Sequence, residues 1–369
     1  MKDKKPFDFI LFITVLILLS LGLIMVFSAS APTAEKEYGN IYHYINRQLA
    51  FAALGMVAML FAANLDYHKY GRKFVWTLMG ISIVLLILVL IPGIGSNANG
   101  SWRWIVIAGI RFQPSEMAKL ALILFFAYSL SKRKRPLNSF FVDLMPYLFM
   151  IGLIALLLLL ETHLSATIIM IAVAMIILFA AGAKLWHFAM LITPVAAVIT
   201  AVIMFTDYMT PRINAWLDPW SKPRTDGYQT IQSLYAIGSG GLFGRGLGQS
   251  MQKFLYVPEP QNDYIFAILA EELGFVGVLA VLLLFMIFIW RGIKIALNAQ
   301  DVYGSLIAVG ITALIAVQSL FNVAVVTNTV PPTGVSLPFF SSGGTSLVLF
   351  MVEAGVLLNV SRYSRYERI

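Results

Sequence analysis

The feature that most constrains this chain is a series of about ten apolar runs, each near the ~20 residues a helix needs to cross the hydrocarbon core of a bilayer. They fall at about 7–29, 48–65, 74–92, 114–131, 142–161, 164–182, 185–206, 264–290, 302–326 and 342–360. Of the 369 residues, 59% are hydrophobic and 12% charged, and the mean hydropathy is +0.83. A soluble domain is about 45–50% apolar and about 25% charged. A chain of this size cannot hide the excess from water, so lipid must be part of its solvent. The sequence predicts an all-α, polytopic membrane protein with about ten transmembrane helices, built as one domain over 1–369.

The first run follows Lys2, Lys4 and Lys5 and precedes Ser28, Ala29, Ser30 and Ala31, the outline of a signal peptide. Its apolar stretch exceeds the ~7–15 residues of a cleavable signal, so an uncleaved signal anchor is expected. Most of the 26 basic residues then fall on one side if both termini are cytoplasmic: the N-terminal lysines, Lys69, Arg72 and Lys73, Lys132 to Arg135, Lys184, Arg291 and Lys294, and Arg362, Arg365 and Arg368. The positive-inside rule favours that orientation, and an even number of spans permits it. The net charge of +8 is accounted for by topology on anionic lipid, with no reason to invoke nucleic acid. Cysteine is absent, which excludes disulfides and thiolate chemistry, and the four histidines lack metal-ligand spacing.

Ten basic residues lie outside or within spans, against the rule: Lys36, Arg47, Arg103, Arg111, Lys119, Arg212, Lys222, Arg224, Arg245 and Lys253. Solvated loop charge accounts for any one of them; an anionic ligand at the outer leaflet accounts for their clustering. The longest segment between spans, about 207–263, joins the seventh and eighth and is expected on the outer side. It carries aromatics and a glycine-rich stretch, Gly238 to Gly248, and is expected to be folded. The stretch lacks the context and the Gly-Lys-Ser/Thr of a phosphate-binding loop.

Ionisable groups in spans are functional candidates. Pro114 suits the first turn of a helix in which Glu116 and Lys119, three apart, share a face. They form a structural ion pair or hold an anion. Glu161 and His163 fall at the turn of the 142–182 hairpin, where solvation is the expected state of His163. Glu353 must face protein, and Gln318, Asn322 and Asn328 are expected to hydrogen-bond between helices. Asp263 sits where the long segment enters the eighth span. It reads either as a helix N-cap or as a carboxylate placed where lipid headgroup and water meet. A continuous helix over 263–290 would be about 42 Å long, more than the ~30 Å core, which sets its first turns in the outer interface.

These segments resemble the SEDS family (FtsW, RodA and SpoVE). The resemblance rests on Trp102-Arg-Trp-Ile, Phe112-Gln-Pro-Ser-Glu-Met-Ala-Lys119, Arg212-Ile-Asn-Ala-Trp-Leu-Asp-Pro219, Gly227-Tyr-Gln-Thr-Ile-Gln-Ser233, Ala236 to Gly248, Pro258 to Gly274, and Leu337-Pro-Phe-Phe-Ser-Ser-Gly-Gly-Thr-Ser346. The last run is closest to the FtsW/SpoVE branch. One departure is His163, in Thr162-His-Leu-Ser-Ala166, where many members carry aspartate in Pro-Asp-Leu-Gly-Thr.

The resemblance implies a multi-pass enzyme of the bacterial cytoplasmic membrane that polymerises lipid II into β-1,4 glycan at the outer face, releasing undecaprenyl pyrophosphate, in elongation, division or sporulation. Its implied partners are lipid II, the nascent glycan strand, membrane lipids and a class B penicillin-binding protein. Asp263 matches the family's catalytic aspartate. The leaving pyrophosphate needs cationic partners, for which Lys119 with Glu116, Arg103, Arg111, Arg212 and Arg245 are candidates. Gln229, Gln232, Ser342, Gly343 and Gly344 are candidate substrate contacts within the matching motifs. A divalent cation, magnesium or manganese, is a candidate to share the charge, although no metal cage is visible, and no organic cofactor is expected. Two other readings stay open: a lipid II flippase, and a non-catalytic scaffold for a penicillin-binding protein.

Overall fold

The computed structural model describes residues 6–98, 101–107, 109–191, 209–254 and 256–364. The spans form helices α1 (Phe9–Tyr38), α2 (His43–Asn64), α3 (Arg72–Val89), α4 (Pro114–Ser131), α5 (Met145–Leu160) and α6 (Leu164–Ala180). Two short helices follow, α7 (Thr210–Leu217) and α8 (Tyr228–Gly240), then α9 (Ile265–Leu297), α10 (Val302–Val326) and α11 (Gly344–Arg362). Seven of the described helices are long and apolar enough to cross a membrane, and α6 is a shorter apolar helix. The protein is therefore a polytopic membrane protein. The expected span at about 185–206 lies largely outside the described residues.

α10 and α11 are the most enclosed spans, and α11 runs against α2 at close range. The approach depends on glycine: a Cβ on Gly355 would stand 2.4 Å from the Met59 carbonyl oxygen, and one on Gly344 2.3 Å from the Phe51 ring. Outward-facing positions are apolar, as lipid requires; the lower part of α9 exposes Phe275, Leu279, Leu283, Met286 and Trp290.

The structure departs from the sequence expectation at three places. The first is a small antiparallel sheet, β1 (Gly95–Ala98), β2 (Ser101–Ile107) and β3 (Ile110–Phe112), in order β1-β2-β3 between α3 and α4. The chain is thus predominantly rather than wholly α. The short strands escape a search for span-length apolar runs.

The second is the α5–α6 turn. Glu161 and His163 are buried, not solvated, at 0% and 5% exposure. The sheet accounts for this: the Thr162 hydroxyl donates to Ser101 Oγ at 2.9 Å, and the Arg103 guanidinium donates to the Thr162 carbonyl.

The third is a break in α9 at Gly274, which takes φ 65° and ψ −169°. The helical bonds from Phe275 to Glu271 and from Val276 to Glu272 are opened, and the glycine-rich stretch fills both sides. Phe275 N and Val276 N donate to the carbonyls of Gly241 (2.9 Å) and Leu242 (3.0 Å), while Arg245 N and Gly246 N, each at 3.0 Å, donate to Glu271 and Glu272. Irregular backbone near the bilayer survives only when its polar groups are paired in this way. A Cβ on Gly244 would stand 2.1 Å from the Glu272 carbonyl oxygen, so the stretch is glycine-rich because it threads a helix.

Candidate active site

Asp263 stands two residues before α9. The N-cap of that helix is Tyr264, with no side-chain capping bond, so the carboxylate of Asp263 is not spent on capping. The preceding backbone is held on one side. Ser342 N donates to the Gln261 carbonyl at 2.8 Å, Ser341 Oγ to that of Asn262 at 2.8 Å, and Asn322 Nδ2 to that of Asp263 at 2.8 Å.

Cations surround the carboxylate. Arg103 arrives on β2 and Arg212 on α7, and both charges act on Asp263. Arg212 is steadied by donation to the Pro332 carbonyl at 3.0 Å. Gly334 completes the wall: a Cβ there would lie 2.8 Å from Asp263 Oδ2 and 3.6 Å from an Arg103 guanidinium nitrogen. Burial pushes Asp263 up to about 6, with Arg103 and Arg212 opposing the rise and Glu259 adding to it. Asp263 taken as a whole residue is partly exposed, while its carboxyl sits in buried surroundings. His163, enclosed behind Arg103, is held well below the usual imidazole range, first by burial and then by the charges of Arg103, Lys119 and Arg212.

Lys119 lies deeper in α4 and is 3% exposed. Its ammonium pairs with Glu116 at 2.8 Å and donates to Gln318 Oε1 at 2.7 Å. Glu353 on α11 is also buried and lies within electrostatic reach of both. The ion pair expected from the spacing is present, at a level below Asp263 that protein encloses.

The remaining sequence candidates are dispersed. Arg111 is exposed on β3, where its carbonyl accepts from Thr345 Oγ1 at 3.2 Å, close to Gly343 and Gly344 at the start of α11. Gln229 and Gln232 are partly exposed on α8. Ser342 acts through its backbone on the Asp263 segment. Arg245 lies 3.7 Å from Glu271, about 12 Å along α9 from Asp263 at 1.5 Å per residue. Gly334 and the clamp on residues 261–263 went unread in the sequence. Their only sequence signal was an amide-bearing α10 followed by a Pro-Pro-Thr-Gly segment, which names no contact. Among the described residues no three His, Asp or Glu side chains gather at one point.

A carboxylate beside two arginines at the end of a helical bundle suits proton transfer next to an anion. The model of the FtsW/RodA/SpoVE family, described as cell cycle proteins, matches residues 9–366. This chain belongs to that family. It is 47% identical to stage V sporulation protein E of Bacillus subtilis over 99% of both chains. It is 40% identical to a probable peptidoglycan glycosyltransferase FtsW of Geobacter sp. (strain M18), again over 99% of both. Among solved structures it resembles a chain of a peptidoglycan synthase complex described for structural coordination of polymerization and crosslinking. That match has a TM-score of 0.80 and 26% identity, covering 98% of this chain and 99% of the other. The rod shape determining protein RodA of Thermus thermophilus matches with a TM-score of 0.71 and 26% identity, over 98% of each chain. The FtsW/RodA/SpoVE membership accounts for the order of the motifs along the chain, and it sets the Asp263 mouth in the context of a multi-pass bacterial membrane protein.

Proposed function

We propose that this chain is a peptidoglycan glycosyltransferase that polymerises lipid II at the outer face of the cytoplasmic membrane, serving division or sporulation. In this reading ten helices span the bilayer, both termini are cytoplasmic and the segment 207–263 lies outside. The observation that carries it is Asp263, its backbone clamped and its carboxylate within the fields of Arg103 and Arg212, in a chain with glycosyltransferase relatives.

The acceptor's GlcNAc 4-hydroxyl oxygen attacks the anomeric carbon of the donor MurNAc. A new C–O bond forms as the bond to the pyrophosphate oxygen breaks, and that oxygen leaves with the electron pair. The hydroxyl proton passes to Asp263. A base titrating near 6 is ionised at neutral pH yet basic enough to accept that proton. The α-linked donor gives a β-linked product by one displacement, without a covalent enzyme intermediate. Arg103 and Arg212 face the charge that develops on the leaving pyrophosphate. A class B penicillin-binding protein is the proposed partner, cross-linking the strand as it emerges.

Asp263→Asn keeps the shape and removes the base. Polymerisation of purified lipid II by this variant is expected to fall by about 10²–10⁴-fold, with monodisperse protein and unchanged lipid II binding. Full glycan synthesis would sink the assignment. Movement of lipid II across vesicles without glycan product, in the unaltered protein, would favour the flippase reading.

A further inference from the structure

Asn322 and Gln318 lie one turn apart on α10, at 0% and 1% exposure. Both hold the segment that follows their own helix. Gln318 Nε2 donates to the Ser336 carbonyl at 3.0 Å and to its hydroxyl at 3.1 Å. Asn322 Nδ2 donates to the Val335 carbonyl at 2.6 Å and to the Asp263 carbonyl at 2.8 Å. Val335 adjoins Gly334, whose Cβ position would lie 2.8 Å from Asp263 Oδ2. One amide nitrogen therefore binds both sides of a narrow gap: the residue bearing the carboxylate, and the irregular segment whose glycine walls it.

Amides in membrane helices ordinarily bond to neighbouring helices. Asn322 differs in two respects. Both its donor contacts go to backbone oxygens of irregular segments at the helix mouth, and its Oδ1 is buried without a hydrogen-bond partner.

We propose that Asn322 is a positioning residue for Asp263. It fixes the backbone of the base at a set distance from the Gly334 wall, so that the carboxylate alone moves as the acceptor hydroxyl arrives. This rests on the reading of Asp263 as the base. The role belongs to the amide of α10, a helix that carries no substrate contact in the proposed mechanism.

Asn322→Leu keeps the branching of the side chain at Cγ and removes both donors. In full-length protein reconstituted in vesicles with lipid II, kcat is expected to fall at least about tenfold, because misplacing a catalytic group by about 1 Å costs up to about 10²-fold. KM should stay within about twofold, and the acid limb of the pH profile, set by Asp263, should move. Asn322→Asp keeps the shape with at most one donor; an intermediate kcat is expected, and it carries the test if the leucine variant does not fold. Normal kcat per folded molecule with an unmoved acid limb, whatever the change in yield or Tm, overturns the positioning role. Asp263→Asn measured in parallel separates the two failures. If it is inactive while Asn322→Leu is fully active, only the positioning role falls. If it is active, the base assignment falls and this inference with it.

Discussion

Acidic groups stand at two levels of one stretch of chain, Asp263 just before α9 and Glu271 with Glu272 within it, and their surroundings are opposite. At the lower level Glu271 accepts from Met251 N at 3.0 Å and Gln252 N at 3.3 Å, and from the Ser250 hydroxyl at 2.5 Å. Glu272 accepts from Ser28 Oγ at 2.6 Å and pairs with Lys253 at 2.9 Å. Lys253 in turn donates to the Gly248 carbonyl at 2.7 Å. Both glutamates are 0% exposed. At the upper level Asp263 keeps partial exposure, and its anchoring falls on its backbone. A buried carboxylate saturated with donors is committed to structure, since every partner lost leaves a desolvated charge. A carboxylate whose backbone is held while its side chain stays reachable can take up a proton.

The comparison breaks most decisively at the lower level. Glu272→Leu leaves Lys253 buried without its partner, and loss of one member of a buried pair costs about 3–5 kcal/mol. A large drop in Tm and in folded yield is expected, with the surviving molecules retaining their kcat. Adding Lys253→Met should recover most of the loss. A double variant no more stable than the single one would show that the pair is not what holds the loop to α9.

At the upper level the expected signature is reversed. Gly334→Ala sets a methyl against Asp263 Oδ2, and displacing the carboxylate should lower kcat about tenfold, within the range expected for sub-ångström to 1 Å misplacement. Thermal stability should scarcely change. Equal losses of stability and turnover would erase the distinction between the two levels.

The smallest effect is one of pH. A general base works as the carboxylate, so kcat/KM should be level above the Asp263 value of about 6, reach half its plateau there, and fall about tenfold per unit below it. The limb should vanish from the residual activity of Asp263→Asn. A profile level down to pH 4.5 would show that Asp263 does not titrate in the free enzyme as its surroundings require.

Much of this was legible in the residues. The apolar runs located the helices, since a bilayer imposes length and composition on anything that spans it. Pro114 and the spacing of Glu116 and Lys119 led to a real ion pair. The matching motifs led to Asp263, and the charges of Arg103 and Arg212 acting on it suit that reading. Glycine in Gly238 to Gly248 was visible, but its purpose was not: the stretch enters the hydrogen-bond ladder of a helix some thirty residues later in the chain. His163 read as solvated because nothing local in its sequence shows that Ser101 and Arg103 bond to the adjoining Thr162.

By itself, then, the sequence determined that the chain lives in a membrane, where its long apolar helices fall among the described residues, and which aspartate directly precedes α9, because these follow from local composition and residue order. Only the tertiary structure decided which charges meet. Arg103, Arg212, Gly334 and Asn322 come from four separate parts of the chain, and they converge on Asp263 through packing that no single segment encodes. The same packing encloses Glu271 and Glu272 in donors two turns below. The physical reason is that a carboxylate's role depends on how many donors and how much water surround it, and both are fixed by neighbours distant in sequence.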